Sequence, residues 1–148
     1  MNQELFIKQL IALVSDEPDI IANLSNTSAL LNEYLTDINW VGFYLYDGNE
    51  LVLGPFQGKV ACIRIPLNKG VCGAAASKKE TLVVPNVHEF PGHIPCDGAS
   101  NSEIVVPLIK DDKLIGVLDI DSPILNRFSK EDEEFITKVG KIVETYIY

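Results

Sequence analysis

Cysteine chemistry is the first functional possibility in this sequence of 148 residues, which contains three cysteines. Cys96 lies in the irregular segment Pro91-Gly92-His93-Ile94-Pro95-Cys96-Asp97-Gly98, outside any periodic apolar stripe. A nucleophilic thiol needs access and a lowered pKa, which loops provide more readily than cores, so we expect Cys96 to be reactive. Cys62 opens a predicted strand and Cys72 a predicted helix, and each on its own fits ordinary packing.

Acidic and aromatic side chains at alternate positions mark a second candidate feature. Asp119 and Asp121 are two residues apart in a predicted strand, so their side chains share one face of it. A solvated sheet face and a ligand-binding face both explain that pattern. Trp40 and Tyr44 share a face of an earlier strand, where core packing is the simplest interpretation.

The sequence motifs of metal and cofactor sites are absent. His88 and His93 together with Cys96 raise the question of zinc, but the cysteines form no CxxC pair and the histidines have no ligand spacing. No glycine-rich phosphate-binding pattern is present either. We therefore expect neither a metal nor a cofactor.

Composition argues against several classes of function. The net charge is −9 and no run of lysine and arginine occurs, which disfavours nucleic acids and anionic membranes as partners. No apolar run approaches the ~20 residues that span a bilayer, and the first residues lack the pattern of a secretory signal. An odd number of cysteines without a disulfide framework indicates a reducing, cytoplasmic compartment.

Hydrophobic periodicity predicts one domain over residues 1–148, with helices over residues 1–36 and a core over residues 37–148. Tight hairpins in the core are incompatible with an all-parallel sheet, so the predicted class is α+β. The predicted core elements are hairpin strands at 38–46 and 50–56, a strand at 62–65, a helix at 70–79, a strand at 81–84, an irregular segment at 86–102, hairpin strands at 104–109 and 114–120, and a final helix capped at Ser129.

Five motifs together resemble the free methionine (R)-sulfoxide reductase family, whose members have the GAF fold. The match spans about residues 37–148 and, weakly, the helical start, and no position in these motifs departs from the family pattern. The motifs are Asn39-Trp40-Val41-Gly42-Phe43-Tyr44, Gly58-Lys59-Val60-Ala61-Cys62-Ile63-Arg64-Ile65, Gly70-Val71-Cys72-Gly73-Ala74-Ala75-Ala76, His93-Ile94-Pro95-Cys96-Asp97 and Leu118-Asp119-Ile120-Asp121-Ser122.

The resemblance implies a GAF-like domain whose central antiparallel sheet of about six strands carries helices on its faces. It implies that Cys96 attacks the sulfur of free methionine (R)-sulfoxide and becomes a sulfenic acid. Cys62, or alternatively Cys72, then forms a disulfide with it, which thioredoxin reduces. The family's acidic pocket residues match Glu103, Asp119 and Asp121, and its aromatic wall matches Trp40 and Tyr44.

The register of the final hairpin decides whether Glu103 can join that pocket. A two-residue turn at Asp111-Asp112 with an unbroken ladder would place the Glu103 side chain on the opposite face. A three-residue loop or a one-residue bulge instead pairs Lys110 with Leu114 and sets Glu103 opposite Asp121. We predict this second register.

Two other functions are compatible with the same features. A GAF sensory module would bind a small ligand in the pocket without turnover, although such modules usually accompany an output domain. A thiol redox sensor would use Cys96 with a second cysteine but would not require three acids in a pocket. A monomer and a homodimer are both compatible with the sequence.

Overall fold

The computed structural model describes residues 1–94 and 96–148; Pro95, part of the predicted irregular segment, lies outside them. Its centre is a six-stranded antiparallel sheet in the order β3-β2-β1-β6-β5-β4, which confirms the predicted α+β architecture. The strands are β1 (Trp40–Tyr46), β2 (Glu50–Gly58), β3 (Arg64–Pro66), β4 (Leu82–Val84), β5 (Ser102–Lys110) and β6 (Lys113–Ser122). The helices are α1 (Gln3–Val14), α2 (Ile20–Tyr34), α3 (Gly70–Lys78) and α4 (Lys130–Ile142), with a 3-10 turn at Val87–Glu89 and a π-helical turn at Val143–Ile147.

Helices α1, α2 and α4 cover one face of the sheet. Strand alternation sends Val41 and Phe43 to this face, where they join one buried apolar cluster with Phe6, Leu31 and Phe135 of the helices. Full burial of such a side chain stabilises the fold by about 1.5–3 kcal/mol. Among the helices in the described ranges, none is both long enough and apolar enough to cross a membrane.

The opposite face of the sheet packs against α3 and holds the second apolar cluster. Trp40 and Tyr44 project to this face, because they alternate along β1 with Val41 and Phe43, which face the long helices. The buried residues of α3 are small, including Cys72, Ala75 and Ala76, so the helix can lie close to the sheet. This face carries the candidate site.

The third strand differs from its predicted bounds. We predicted a strand over residues 62–65, but β3 runs from Arg64 to Pro66, and its ladder with β2 consists of these residues. Cys62 therefore lies in an irregular segment rather than in the sheet. Within the apolar run that predicted the strand, the side chain of Ile63 is exposed to solvent.

The final hairpin reaches the predicted register by a different route. Lys110 pairs with Lys113 rather than with Leu114, across a two-residue turn whose residues have φ values of 53° and 62°. Such turns match the twist of the flanking strands, which favours them over a longer loop. A one-residue bulge further along β6 then shifts the ladder. Glu103 consequently lies opposite Asp121, as predicted.

Candidate active site

A cavity of about 40 Å³ lies on the α3 face of the sheet, which is room for a few water molecules. All of the predicted site residues except Cys62 are among the described residues that line it: Trp40, Tyr44, Cys72, Cys96, Glu103, Asp119 and Asp121. Cys62 is joined to the cavity by a disulfide to Cys96. Residues that are distant in the sequence thus converge on one place.

The strand register aligns three site residues in one row. Trp40 of β1 lies opposite Asp121 of β6, which in turn lies opposite Glu103 of β5. Asp119 precedes Asp121 by two residues in β6, so its side chain faces the same side of the sheet. The Glu103 and Asp119 side chains are only 7% and 5% exposed. Opposed like charges destabilise a sheet, so the row requires a shared proton or a bound cation.

Burial and neighbouring groups shift the pKa of each acid in this cluster. Burial raises the pKa of Glu103 well above its usual range, and the charges of Asp119 and Asp121 raise it further. The pKa of Asp121 is also raised well above its usual range, by burial and then by the charge of Asp119. Burial raises the pKa of Asp119 as well, but hydrogen bonds from Glu103 and Cys72 oppose the increase. The three acids therefore hold protons more readily than isolated carboxyl groups do, and Asp119 is the one whose carboxylate form is stabilised by hydrogen bonds from both Glu103 and Cys72.

This acidic cluster has no cationic side-chain partner within the described ranges, 1–94 and 96–148. Their ion pairs do not include Glu103, Asp119 or Asp121. The Oδ1 atoms of Asp119 and Asp121 are buried without a hydrogen-bond partner. A buried polar atom left unpaired costs about 1–3 kcal/mol. An ammonium group of a ligand would supply both the charge and the donors that these atoms lack.

A metal ion would have one group of ligands in the described part of the chain. Ligand atoms of Cys72, Glu103 and Asp119 lie within 4.8 Å of one another. Burial raises the pKa of Cys72 well above its usual range, and zinc binds a thiolate, so a zinc ion at this position would have to displace the thiol proton. The histidine alternative fits less well, because Cys96 is held in a disulfide and His88 Nε2 lies 2.8 Å from an asparagine oxygen.

The cysteines divide into one disulfide and one buried thiol. Cys62 and Cys96 are bonded, with their Cα atoms 5.4 Å apart, which is within the usual range for a disulfide. This confirms the predicted pairing with Cys62 rather than with the alternative, Cys72. The Cys72 thiol is buried and donates a weak hydrogen bond to Glu103 Oε2 at 3.9 Å.

Aromatic rings form one wall of the cavity and also hold the segment that contains Cys62. The ring of Trp40 stacks on those of Tyr44 and Phe56, with centroids 5.9 and 5.1 Å away. Trp40 Nε1 donates to the carbonyl of Lys59 at 3.2 Å, and the Tyr44 hydroxyl donates to that of Cys62 at 2.8 Å. Burial raises the pKa of Tyr44 above its usual range, so this hydroxyl remains a donor.

The first turn of α3 forms another part of the lining, through Lys69, Gly70 and Val71. Lys69 is the N-cap and provides no side-chain capping bond. The Gly70 amide donates to a loop carbonyl at 3.2 Å, but helix geometry leaves the amides of Val71 and Cys72 without an intrahelical acceptor. Unsatisfied amides at the positive end of a helix favour an anion such as a carboxylate.

Sequence reasoning missed the polar residues that position the Cys96 segment. Asn39 Nδ2 donates to Asp97 Oδ2 at 2.9 Å and to Ser100 Oγ at 3.1 Å, which ties the segment to the start of β1. His93 also lines the cavity, and burial followed by a neighbouring histidine lowers its pKa. The length of the predicted irregular segment was the available signal, but it does not identify a partner 58 residues away.

Comparison with known proteins agrees with this site. Residues 19–147 match the GAF domain family, so the fold and its pocket define a GAF-domain protein. The free methionine-R-sulfoxide reductase of Escherichia coli K12 is 52% identical over 141 residues, which cover 93% of this chain and 86% of that protein. The chain belongs to the free methionine-R-sulfoxide reductase family of GAF-domain proteins, as its motifs indicated.

Solved structures show the same relationship. The structure of fRMsr of Staphylococcus aureus in its reduced form has a TM-score of 0.96 and 57% identity, covering 99% of this chain and 96% of that one. The free methionine-R-sulfoxide reductase of Neisseria meningitidis, solved in complex with its substrate, has a TM-score of 0.93 and 47% identity. The match covers 97% of this chain and 87% of that one.

Proposed function

We propose that this protein reduces free L-methionine (R)-sulfoxide to methionine, with Cys96 as the nucleophile. The observation that carries the proposal is the Cys62–Cys96 disulfide at a cavity lined by buried acids that form no ion pair with any described residue. The E. coli and N. meningitidis relatives, which carry this activity in their names, support the choice of substrate.

The two charged ends of a free amino acid match two parts of the cavity. The ammonium group pairs with Asp119 and donates to the unpartnered oxygens of Asp119 and Asp121. The carboxylate lies at the first turn of α3. The S-methyl group packs on Trp40, since thioether and aromatic groups attract each other. A peptide-bound methionine sulfoxide has neither terminal charge and is therefore a poor substrate.

In the first step, the Cys96 thiolate attacks the sulfoxide sulfur while Glu103 gives its proton to the sulfoxide oxygen. As the bond between the substrate sulfur and its oxygen breaks, the resulting hydroxyl group passes to the Cys96 sulfur, so methionine leaves and Cys96 becomes a sulfenic acid. The substrate sulfur gains two electrons and the Cys96 sulfur loses two. A carboxyl group whose pKa is raised by burial suits this role, which is the physical use of the buried position of Glu103.

In the second step, the Cys62 thiol attacks the sulfenic acid sulfur, and water leaves as the disulfide forms. Thioredoxin, a cytoplasmic dithiol protein, then reduces this disulfide and restores both thiols. The TM-score of 0.96 against a relative in its reduced form supports a cycle in which the fold is retained.

Steady-state turnover with thioredoxin as the reductant tests the proposal. We expect reduction of the free R epimer, little reduction of the S epimer, and little reduction of peptide-bound or N-acetylated methionine sulfoxide. The Cys96→Ser variant should be inactive. Equal rates on free and peptide-bound substrate would contradict the assigned pocket. Tight binding without turnover would indicate a GAF sensor, and disulfide formation with oxidants alone would indicate a thiol redox sensor.

A further inference from the structure

We propose that the loop over residues 59–63 is the docking surface for a protein dithiol reductant, which attacks Cys62 and releases Cys96 as a thiolate. We call this segment the Cys62 loop. The inference deepens the proposed function, because that function requires the Cys62–Cys96 disulfide to be reduced once in each cycle. The disulfide itself identifies the chemistry of the partner, since thiol–disulfide exchange requires an attacking thiolate.

The Cys62 loop carries the two most exposed large apolar side chains in the described ranges. Val60 is 88% exposed and Ile63 is 68% exposed, whereas the next side chain, Met1, is 59% exposed. They lie on either side of Cys62 in the sequence. Apolar side chains left in water beside a sulfur that must react with another protein are typical of an interaction surface.

Hydrogen bonds from the core impose this exposure. The carbonyl groups of Lys59, Cys62 and Ile63 accept hydrogen bonds from Trp40, Tyr44 and an amide of β2, at 3.2, 2.8 and 2.8 Å. These bonds direct the loop carbonyls toward the core. The apolar side chains at the second and fifth loop positions are therefore presented to solvent by an anchored backbone, which lowers the entropy lost on binding.

Both disulfide cysteines are half-buried, so the side chains around them distinguish the two sulfurs as targets for the partner. Cys96 lines the cavity, whereas Cys62 lies outside the lining residues, on the loop that bears the exposed apolar pair. A partner thiolate that forms a bond with Cys62 Sγ breaks the disulfide and leaves Cys96 as the thiolate, at the substrate. The partner's second thiol then displaces Cys62, so the partner is oxidised by two electrons and becomes a disulfide.

Charge favours the Cys62 loop over the rest of the surface as the place where an acidic group of a partner can bind. The chain has a net charge of −9, which repels acidic proteins from most of its surface. Lys59 at the start of the Cys62 loop is exposed and forms no ion pair within the described ranges. A second copy of the chain is acidic as well, so charge does not distinguish it from another partner. Exchange with a reduced second copy would only pass the disulfide from one copy to the other, so net reduction requires a separate protein dithiol.

The test measures the reduction of the preformed disulfide and needs no sulfoxide. The oxidised protein is mixed with reduced thioredoxin, or with dithiothreitol, and the second-order rate constant of disulfide reduction is followed. We expect Val60→Asp and Ile63→Asp to lower the rate constant with thioredoxin about tenfold while leaving the rate with dithiothreitol unchanged. The matched control is Leu125→Asp, at a side chain 51% exposed and distant in sequence, which should change neither rate.

A trapping experiment tests the direction of attack. A thioredoxin variant without its second cysteine should form a mixed disulfide with the oxidised protein, and peptide mapping should locate it at Cys62. Mapping to Cys96 would overturn the assigned direction. Rate constants unchanged in both loop variants, or lowered equally with both reductants, would overturn the docking surface. Concentration-dependent association lost in both variants would assign the surface to a second copy instead. Failure of sulfoxide turnover alone would refute the proposed function and leave these measurements valid.

Discussion

Reduction of the Cys62–Cys96 disulfide should destabilise the folded protein by an amount that its sequence separation determines. The two cysteines are 34 residues apart, and closing a loop of this length removes about 3.8 kcal/mol of chain entropy from the unfolded state at 25 °C. For a chain of 148 residues, each kcal/mol shifts the melting temperature by about 2–4 °C. We therefore expect the reduced protein to unfold at a temperature about 8–15 °C lower than the oxidised protein.

Thermal unfolding of the oxidised and the fully reduced protein, followed by circular dichroism, provides the measurement. Cys72→Ser is the matched control, and it should keep the full difference because the Cys72 thiol is outside the disulfide. Cys96→Ser should unfold at one temperature whether or not a reductant is present. If the oxidised and reduced wild-type proteins unfolded at the same temperature, the assigned disulfide and the redox cycle built on it would be wrong.

The remaining predictions concern the acids and the sheet. Glu103→Gln should lower kcat about 10²–10⁴-fold with little change in KM, because the amide keeps the shape but gives no proton; a loss confined to KM would argue against the assigned role. Asp119→Asn should instead raise KM, since it removes the charge that faces the ammonium group, and both variants can be compared in one steady-state assay. Folded Glu103 and Asp121 keep protons that the unfolded chain releases at lower pH, so the free energy of unfolding should fall as pH rises from the unfolded toward the folded pKa values. Urea titrations should show a slope of at most about 1.4 kcal/mol per pH unit for each group, and Glu103→Gln should reduce it. Gly42→Ala should destabilise the fold by about 1–3 kcal/mol, because a Cβ would lie 2.8 Å from the Pro55 carbonyl oxygen, whereas Gly98→Ala meets nothing within 4 Å and should be neutral.

The sequence alone determined which side chains share a face and which residues could do chemistry. Asp119 and Asp121, like Trp40 and Tyr44, were placed together because side-chain direction alternates along any strand, and this is a local property of the backbone. The motifs around the cysteines then identified the family, and the need for Glu103 opposite Asp121 identified the correct register. These inferences required no knowledge of how the chain packs.

Tertiary structure decided what depends on contacts between distant segments and on burial. The choice of Cys62 over Cys72 as the partner of Cys96 required the position of a loop whose local pattern had predicted a strand. The contact between Asn39 and the Cys96 segment joins residues 58 positions apart in the sequence, which no local periodicity encodes. The raised pKa of Glu103 follows from exclusion of water by α3 and the sheet, because desolvation raises the pKa of a carboxyl group only once its surroundings have assembled.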